Sequence, residues 1–186
     1  MTKENKYKIL TLNILTFLCL GFATQKKETI FLGKVITDNK NTVWGLSIEF
    51  MVDTLVIGQD IIDEDGTFSI SANAETAFDI YYSDIATKAT YMQTIKPTDK
   101  DTVLLTFKIP KDYKKHFGKT ICPKCNKHDQ TISIIYGWNS AKVFRNIDSK
   151  GDTTVTPYNN KIYYGNSCMT SAIDAKYFCK RDKIKF

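Results

Sequence analysis

Four cysteines in this chain have the spacing to share one cation. Cys122 and Cys125 stand two residues apart in CPKCNKHD, and Cys168 in YGNSC and Cys179 in YFCKRD follow towards the C-terminus. Thiolates separated by two residues on a tight turn can both face one metal, and two later thiols close a tetrahedral shell of the kind zinc takes. A shell closed by protein ligands has no open position for a substrate, so the set is expected to hold structure and to do no chemistry. Asp182 stands where a second C-x2-C knuckle would carry its cysteine, and either it or Cys168 completes the shell. Four thiolates are the expected set, because zinc in closed sites favours sulfur, although three thiolates and one aspartate are chemically acceptable. His128, three residues after Cys125, is a further substitute ligand, expected to be a polar knuckle residue because four thiols suffice.

Disulfides are the alternative to zinc. An exported chain meets an oxidising environment, and four cysteines allow three pairings that sequence does not choose between. Zinc is the expected occupant, because C-x2-C on a Pro-Lys turn suits a metal and is awkward for long-range bridges. A local Cys122–Cys125 bridge would instead make the pair a redox couple. Thioredoxin-like pairs open a helix after a strand, whereas the residues after Cys125, NKHDQTISIIYGW, promise a strand.

Raw material for other catalysis is scarce. The chain has two histidines, His116 and His128, and no G-x-S-x-G, Gly-rich phosphate loop or H-E-x-x-H pattern. Its carboxylates are scattered through turns, where no pairing can be read from spacing. Tyr81, Tyr82, Tyr91, Tyr136, Trp138, Tyr163 and Tyr164 fit the core and rims of strands better than a ligand groove.

The elements that must position the cysteines come in two modules behind a leader. Lys3, Lys6 and Lys8 precede an apolar run at 9–22 that ends in Gly21-Phe22-Ala23, the pattern of a secretory signal peptide cut after Ala23. The run is shorter than the roughly 20 apolar residues of a spanning helix. Cys19 lacks the small preceding residue of a lipidation signal, so membrane association is expected only if Cys19 is lipidated or the leader is retained. Cleavage lowers the formal charge from +6 to +4. That mild surplus, much of it in Lys176, Lys180, Arg181, Lys183 and Lys185, reads as a solvated face, and no nucleic-acid role is expected.

Residues 24–109 read as all-β, with short period-two segments between polar turns: TIFLGKVIT, VWGLSIEF, TLVIG, GTFSISA, AFDIYYS and 103–109. In the last of these Val103, Leu105, Phe107 and Ile109 face one way and Leu104, Thr106 and Lys108 the other. Six or seven such strands predict two packed sheets, a β-sandwich. Residues 110–119 read as a linker, where charge and Gly118 break the pattern. From 120 to 186 the chain alternates knuckle and strand: CPKC, TISIIYGW, a long polar stretch, KIYYGNSC and KYFCKRDKIKF. The fold class expected is mainly β.

Residues 29–109, with GKVITDNKNTVWGLSIEF and later DEDGTFSISA, resemble the carboxypeptidase-regulatory-like, transthyretin-like β-sandwich of exported bacterial proteins. The resemblance rests on Gly33, Val35, Asp38, Asp65, Gly66 and Phe68 and implies an accessory module without activity of its own. Residues 120–186 are similar to a small zinc-ribbon-type domain of bacterial proteins, with Cys122, Cys125, Cys168 and Cys179 in matching places and Asp182 as the departure. The cluster Asp63, Glu64, Asp65 fails as an EF-hand loop, because Ile61 and Ala72 stand where oxygen ligands belong; a hairpin turn with solvated carboxylates is expected.

Together these readings predict an exported, non-enzymatic accessory or binding protein of the periplasm or cell envelope, or a secreted one, stapled by zinc or disulfides. Its partner is not legible, nor its oligomeric state. The alternative is an envelope thiol-redox or metal-handling protein working through Cys122 and Cys125.

Overall fold

A computed structural model describes residues 28–37, 43, 45–84, 87–137, 143–147, 151–165 and 173–186. The expected leader, Cys19, Asp38, Trp138 and Cys168 lie outside the described residues. Within them the protein is mainly β, fifteen strands in five sheets without a helix.

The first seven strands are β1 (Glu28–Ile36), β2 (Ser47–Val52), β3 (Leu55–Ile61), β4 (Thr67–Asn73), β5 (Phe78–Asp84), β6 (Thr87–Ile95) and β7 (Thr102–Lys108). They form two sheets, ordered β4-β1-β7 and β3-β2-β5-β6, with β1 and β7 parallel and the other pairs antiparallel. Alternation puts Phe31 and Val35 of β1, Phe68 and Ile70 of β4, and Leu105 and Phe107 of β7 on the inner face of one sheet. Opposite them lie Ile48 and Phe50 of β2, Phe78 and Ile80 of β5, and Met92 of β6, in one continuous apolar cluster. At its centre Phe50 stacks on Phe78 at 4.8 Å, and Phe31 meets both edge-on at 5.1 and 5.3 Å. The alternation expected of β7 is present: Leu105, Phe107 and Ile109 are buried, and Leu104 is 79% exposed.

Two glycines explain why the pattern around GKV and DEDGTF is needed. Gly33 pairs with Phe68 across β1 and β4, and the Phe68 ring lies on Gly33 where any Cβ would collide with it. Gly66 has φ +84°, and a Cβ there would stand 2.7 Å from the Val35 carbonyl oxygen. In the same turn the Asp65 carboxylate accepts bonds from the Thr67 amide (3.0 Å) and hydroxyl (2.7 Å); the turn leads from β3 of one sheet to β4 of the other, a corner between sheets and not the hairpin turn expected there. Gly33→Ala is therefore expected to destabilise the sandwich by about 1–3 kcal/mol, through overpacking against Phe68. Urea denaturation would show it, and the cost should shrink when Phe68→Leu is also present; an equal cost in both backgrounds would place the strain elsewhere.

The remaining strands are β8 (Lys115–His116), β9 (Lys119–Thr120), β10 (Thr131–Tyr136), β11 (Phe144–Ile147), β12 (Thr153–Thr156), β13 (Ile162–Gly165), β14 (Tyr177–Cys179) and β15 (Ile184–Lys185). β13-β10-β14-β15 form a sheet in which β10 and β13 are parallel; β8-β9 and β11-β12 are separate hairpins. The stretch read as a linker thus contains most of the β8-β9 hairpin, and the long polar stretch contains β11-β12, with the β-branched run TTVT as its one sequence sign.

β6 had no clean alternation because both of its faces are covered. Thr90, Tyr91 and Met92 are buried in succession, and the register slips between Ile80 and Tyr81, which leaves Met92 as the extra residue of a bulge. Met92 points into the sandwich core, while Tyr91 packs outward with Cys122, Cys179, Ile184 and Phe186. The two modules are further joined by Ile173, which enters the sandwich core, and by the Tyr82 hydroxyl, which donates to the Ile173 carbonyl.

Burial, and then the Asp174 charge, push Tyr82 up to about 12 despite the opposing bond with Thr90. A raised tyrosine stabilises the fold fully below its unfolded value near 10, and that contribution is lost as pH rises towards 12. Stability is expected to fall between pH 10 and 12, with less of a fall in Tyr82→Phe, itself weakened by about 1 kcal/mol at neutral pH for the lost bond. Denaturation midpoints of both proteins across that range check this; parallel curves would remove Tyr82 as the titrating group.

Candidate metal centre

Two turns of the same construction carry the candidate ligands. In the first, Cys122 follows β9 and Cys125 comes three residues later; Asn126 has φ +56°, its amide donates to the Cys122 carbonyl (2.9 Å), and the Cys122 amide donates to that of Lys127 (2.9 Å). In the second, Cys179 ends β14, Asp182 comes three residues later, and Lys183 has φ +57° before β15 begins. Backbone amides of Cys125 and Lys124 point at the Cys122 sulfur, and those of Asp182 and Arg181 at the Cys179 sulfur. Such donors favour a negatively charged sulfur.

The turns face each other so that one ligand atom from each of Cys122, Cys125, Cys179 and Asp182 lies within 4.8 Å of all the others. The Asp182 Oδ2 is 3.1 Å from the Cys122 sulfur and 3.2 Å from the Cys179 sulfur, and the Cys125 and Cys179 sulfurs are 3.9 Å apart. Thiolates about 2.3 Å from a tetrahedral zinc are separated by about 3.8 Å, so the cluster has the size of a four-ligand shell. This Cys/Asp cluster could hold a metal ion.

Three of the four cysteines expected to act together are thus brought together, and Asp182, the substitute, completes the cluster among the described residues. Cys168 lies outside the described residues. His128 is not part of the cluster; its ring stands 5.2 Å from that of His116.

Protons and cations compete for such a site. Burial pushes the Cys122 and Cys179 thiols up, against the pull of the amides. Burial also works to raise the Asp182 carboxyl, but hydrogen bonds from the Cys125, Cys122 and Cys179 thiols, with the Lys124 charge, hold it below the ordinary range. Three thiols turned on one carboxylate form a donor set that a divalent cation can take over by releasing their protons.

Sequence reasoning missed the wall behind the cluster. Cys122, Cys179 and Phe186 are at most 1% exposed and pack on Tyr91, with Tyr81, Tyr113 and Tyr177 at the rim. Tyr113, Tyr177 and Phe186 meet in pairs at 5.2–5.9 Å. Lys124, inside the first turn, pairs with Asp79 of β5, and Asp79 accepts from Thr94, which bonds to the Tyr91 hydroxyl. The alternation of Ile184 and Phe186 was the available sign of this wall, but its partner, β6, was not. After the first turn the chain enters β10, a strand and no helix.

No family model matches the sequence, and no curated protein does. Among solved structures, a 9R-lipoxygenase from Cyanothece PCC8801 is similar at 15% identity and a TM-score of 0.32, over 51% of this chain and 18% of that one. A likeness of that size carries no argument about function.

Proposed function

We propose that this is an exported, non-enzymatic accessory or binding protein in which a β-sandwich carries a C-terminal module stapled by a structural zinc ion. The observation that carries the reading is the convergence of Cys122, Cys125, Cys179 and Asp182 from two matching turns within 4.8 Å. Sulfur-rich sets of this size select zinc over harder cations, and four protein ligands leave no place for a substrate. Asp182 is the fourth ligand in this reading, with Cys168 as the rival for that place. The strand that follows the first turn supports a structural knuckle over a thioredoxin-like framework. The lock between Gly33 and Phe68 supports the likeness of the sandwich to the carboxypeptidase-regulatory-like accessory modules.

Intact mass of the protein taken from the cell envelope, native and then denatured, with thiol alkylation before and after reduction, tests this reading. One zinc lost on denaturation, thiols that alkylate without reduction, and a start at Thr24 are expected. A Cys122–Cys125 bridge without zinc would overturn the proposal in favour of the redox alternative.

A further inference from the structure

Between Asp112 and Asp129 the chain carries no carboxylate, while Lys114, Lys115, Lys119, Lys124 and Lys127 and both histidines fall in that stretch. The structure folds it into two adjoining segments. One is the β8-β9 hairpin, paired Lys115 to Thr120 and His116 to Lys119. The other is the first metal-site turn, which reaches the hairpin through the contact of the His128 and His116 rings.

At the hairpin tip Phe117 and Gly118 both have positive φ, +47° and +75°. Glycine takes that conformation freely, and phenylalanine does not. The Phe117 ring is 91% exposed, the most exposed large apolar side chain among the described residues, and the ring it meets is that of its neighbour His116 at 4.4 Å. Neither the core nor the turn gains from a phenylalanine there. An unfavourable backbone that ends in a solvated aromatic ring calls for a role outside the fold.

Around it Lys114, Lys115, Lys119 and Lys127 are exposed, and none has a carboxylate partner among the described residues. The nearby acids are engaged elsewhere: Asp112 with Lys108 at 3.1 Å, Asp129 with Arg181 at 2.7 Å, and Asp79 with Lys124. A single apolar ring ahead of a cluster of free cations matches a medium that is apolar at depth and anionic at its surface. Stacking platforms for nucleic acid use several rings laid along a groove; here Phe117 meets His116 edge-on and His116 meets His128 at a tilt, so the three rings form no parallel row.

We propose that the β8-β9 hairpin is a docking tip for anionic phospholipid bilayers, with Phe117 entering the acyl boundary and Lys114, Lys115, Lys119 and Lys127 on the headgroups. This surface needs no N-terminal anchor and does not rest on the zinc reading. Each lysine near an anionic leaflet is worth roughly a fivefold gain in partitioning, so the four together supply on the order of several hundredfold, which salt removes.

The test places a reporter at the tip of the full chain, Phe117→Trp, read as a difference from the parent, which carries the other two tryptophans. The readout is local because the apolar 9–22 segment could itself hold the protein on vesicles. With phosphatidylcholine vesicles containing about one third phosphatidylglycerol, position 117 should show a blue shift and quenching by brominated acyl chains. Both should vanish on pure phosphatidylcholine, at high salt, and when Lys114, Lys115, Lys119 and Lys127 are all changed to glutamine. Absence of the shift on anionic vesicles overturns the proposal, as does an equal shift on neutral ones. A shift with a single-stranded oligonucleotide and none with vesicles would reassign the surface to nucleic acid and overturn it too.

Discussion

On the proposed zinc reading, Cys179→Ser is expected to cost the protein its metal and, with it, the order of the sheet β13-β10-β14-β15. Structural zinc contributes about 10–16 kcal/mol in small metal-folded peptides at neutral pH, as much as or more than the whole stability of a typical domain. Among the described residues the sheet β13-β10-β14-β15 has a small apolar cluster of its own, Ile132, Tyr163 and Phe178. Its other cluster is built on Cys122 and Cys179 themselves. Loss of the metal therefore opens the core and the shell together. Hydrogen exchange should show protection lost in β10, β13 and β14 and kept in β1, β2 and β5, whose side chains lie in the separate sandwich core. Native mass gives the metal content in the same sample. Full zinc occupancy with unchanged protection would remove Cys179 from the site. The companion variant Asp182→Asn is expected to weaken zinc binding by at least about tenfold, the smaller effect typical of losing even an outer partner. Unchanged affinity there would pass the fourth place to Cys168.

The second large effect is expected from Phe50→Ala. Phe50 is fully buried between Phe78 and Phe31, and truncating such a ring costs about 3–5 kcal/mol in lost burial and residual cavity. Urea unfolding followed by tyrosine fluorescence would report it as a lower midpoint. Zinc content should stay at the parent level, because Phe50 belongs to the sandwich core and not to the cluster around Cys122 and Cys179. Zinc lost together with sandwich stability would mean that the two cores melt as one unit across the Tyr91 and Ile173 contacts.

Much of the sandwich could be read from the chain because its strands bury one face each. A half-buried strand must alternate, so Phe31, Val35, Phe68, Ile70, Phe78, Ile80, Leu105 and Phe107 announce both the element and its inner side. Where that condition fails, the reading fails. β6 is covered on both faces, with Tyr91 turned to the metal-site wall and Met92 to the core, and a strand buried on both sides has no alternation to read. The start of β2 shows a smaller miss: Val43 and Gly45, the latter at φ +81°, lie in turns, and the strand begins at Ser47.

The metal site divides along the same line. Residue order alone pairs Cys122 with Cys125, because a knuckle is local and its geometry follows from a separation of two residues. Order also marks Cys179 as a partner and leaves the fourth place between Asp182 and Cys168. Which side chains meet across more than fifty residues depends on how β9, β14 and β15 are laid against β6, and that is set by long-range packing of Tyr91, Ile184 and Phe186. The fold brings Asp182 to 3.1–3.2 Å from two of the sulfurs because the second turn repeats the construction of the first, with Lys183 in the left-handed position that Asn126 holds. The local chain specifies the knuckles, the turns and the half-buried strands, since each is satisfied within a few residues. The meeting of the two knuckles, their aromatic wall and the seam between the modules belongs to tertiary structure, because burial of that kind is decided by partners distant in the chain.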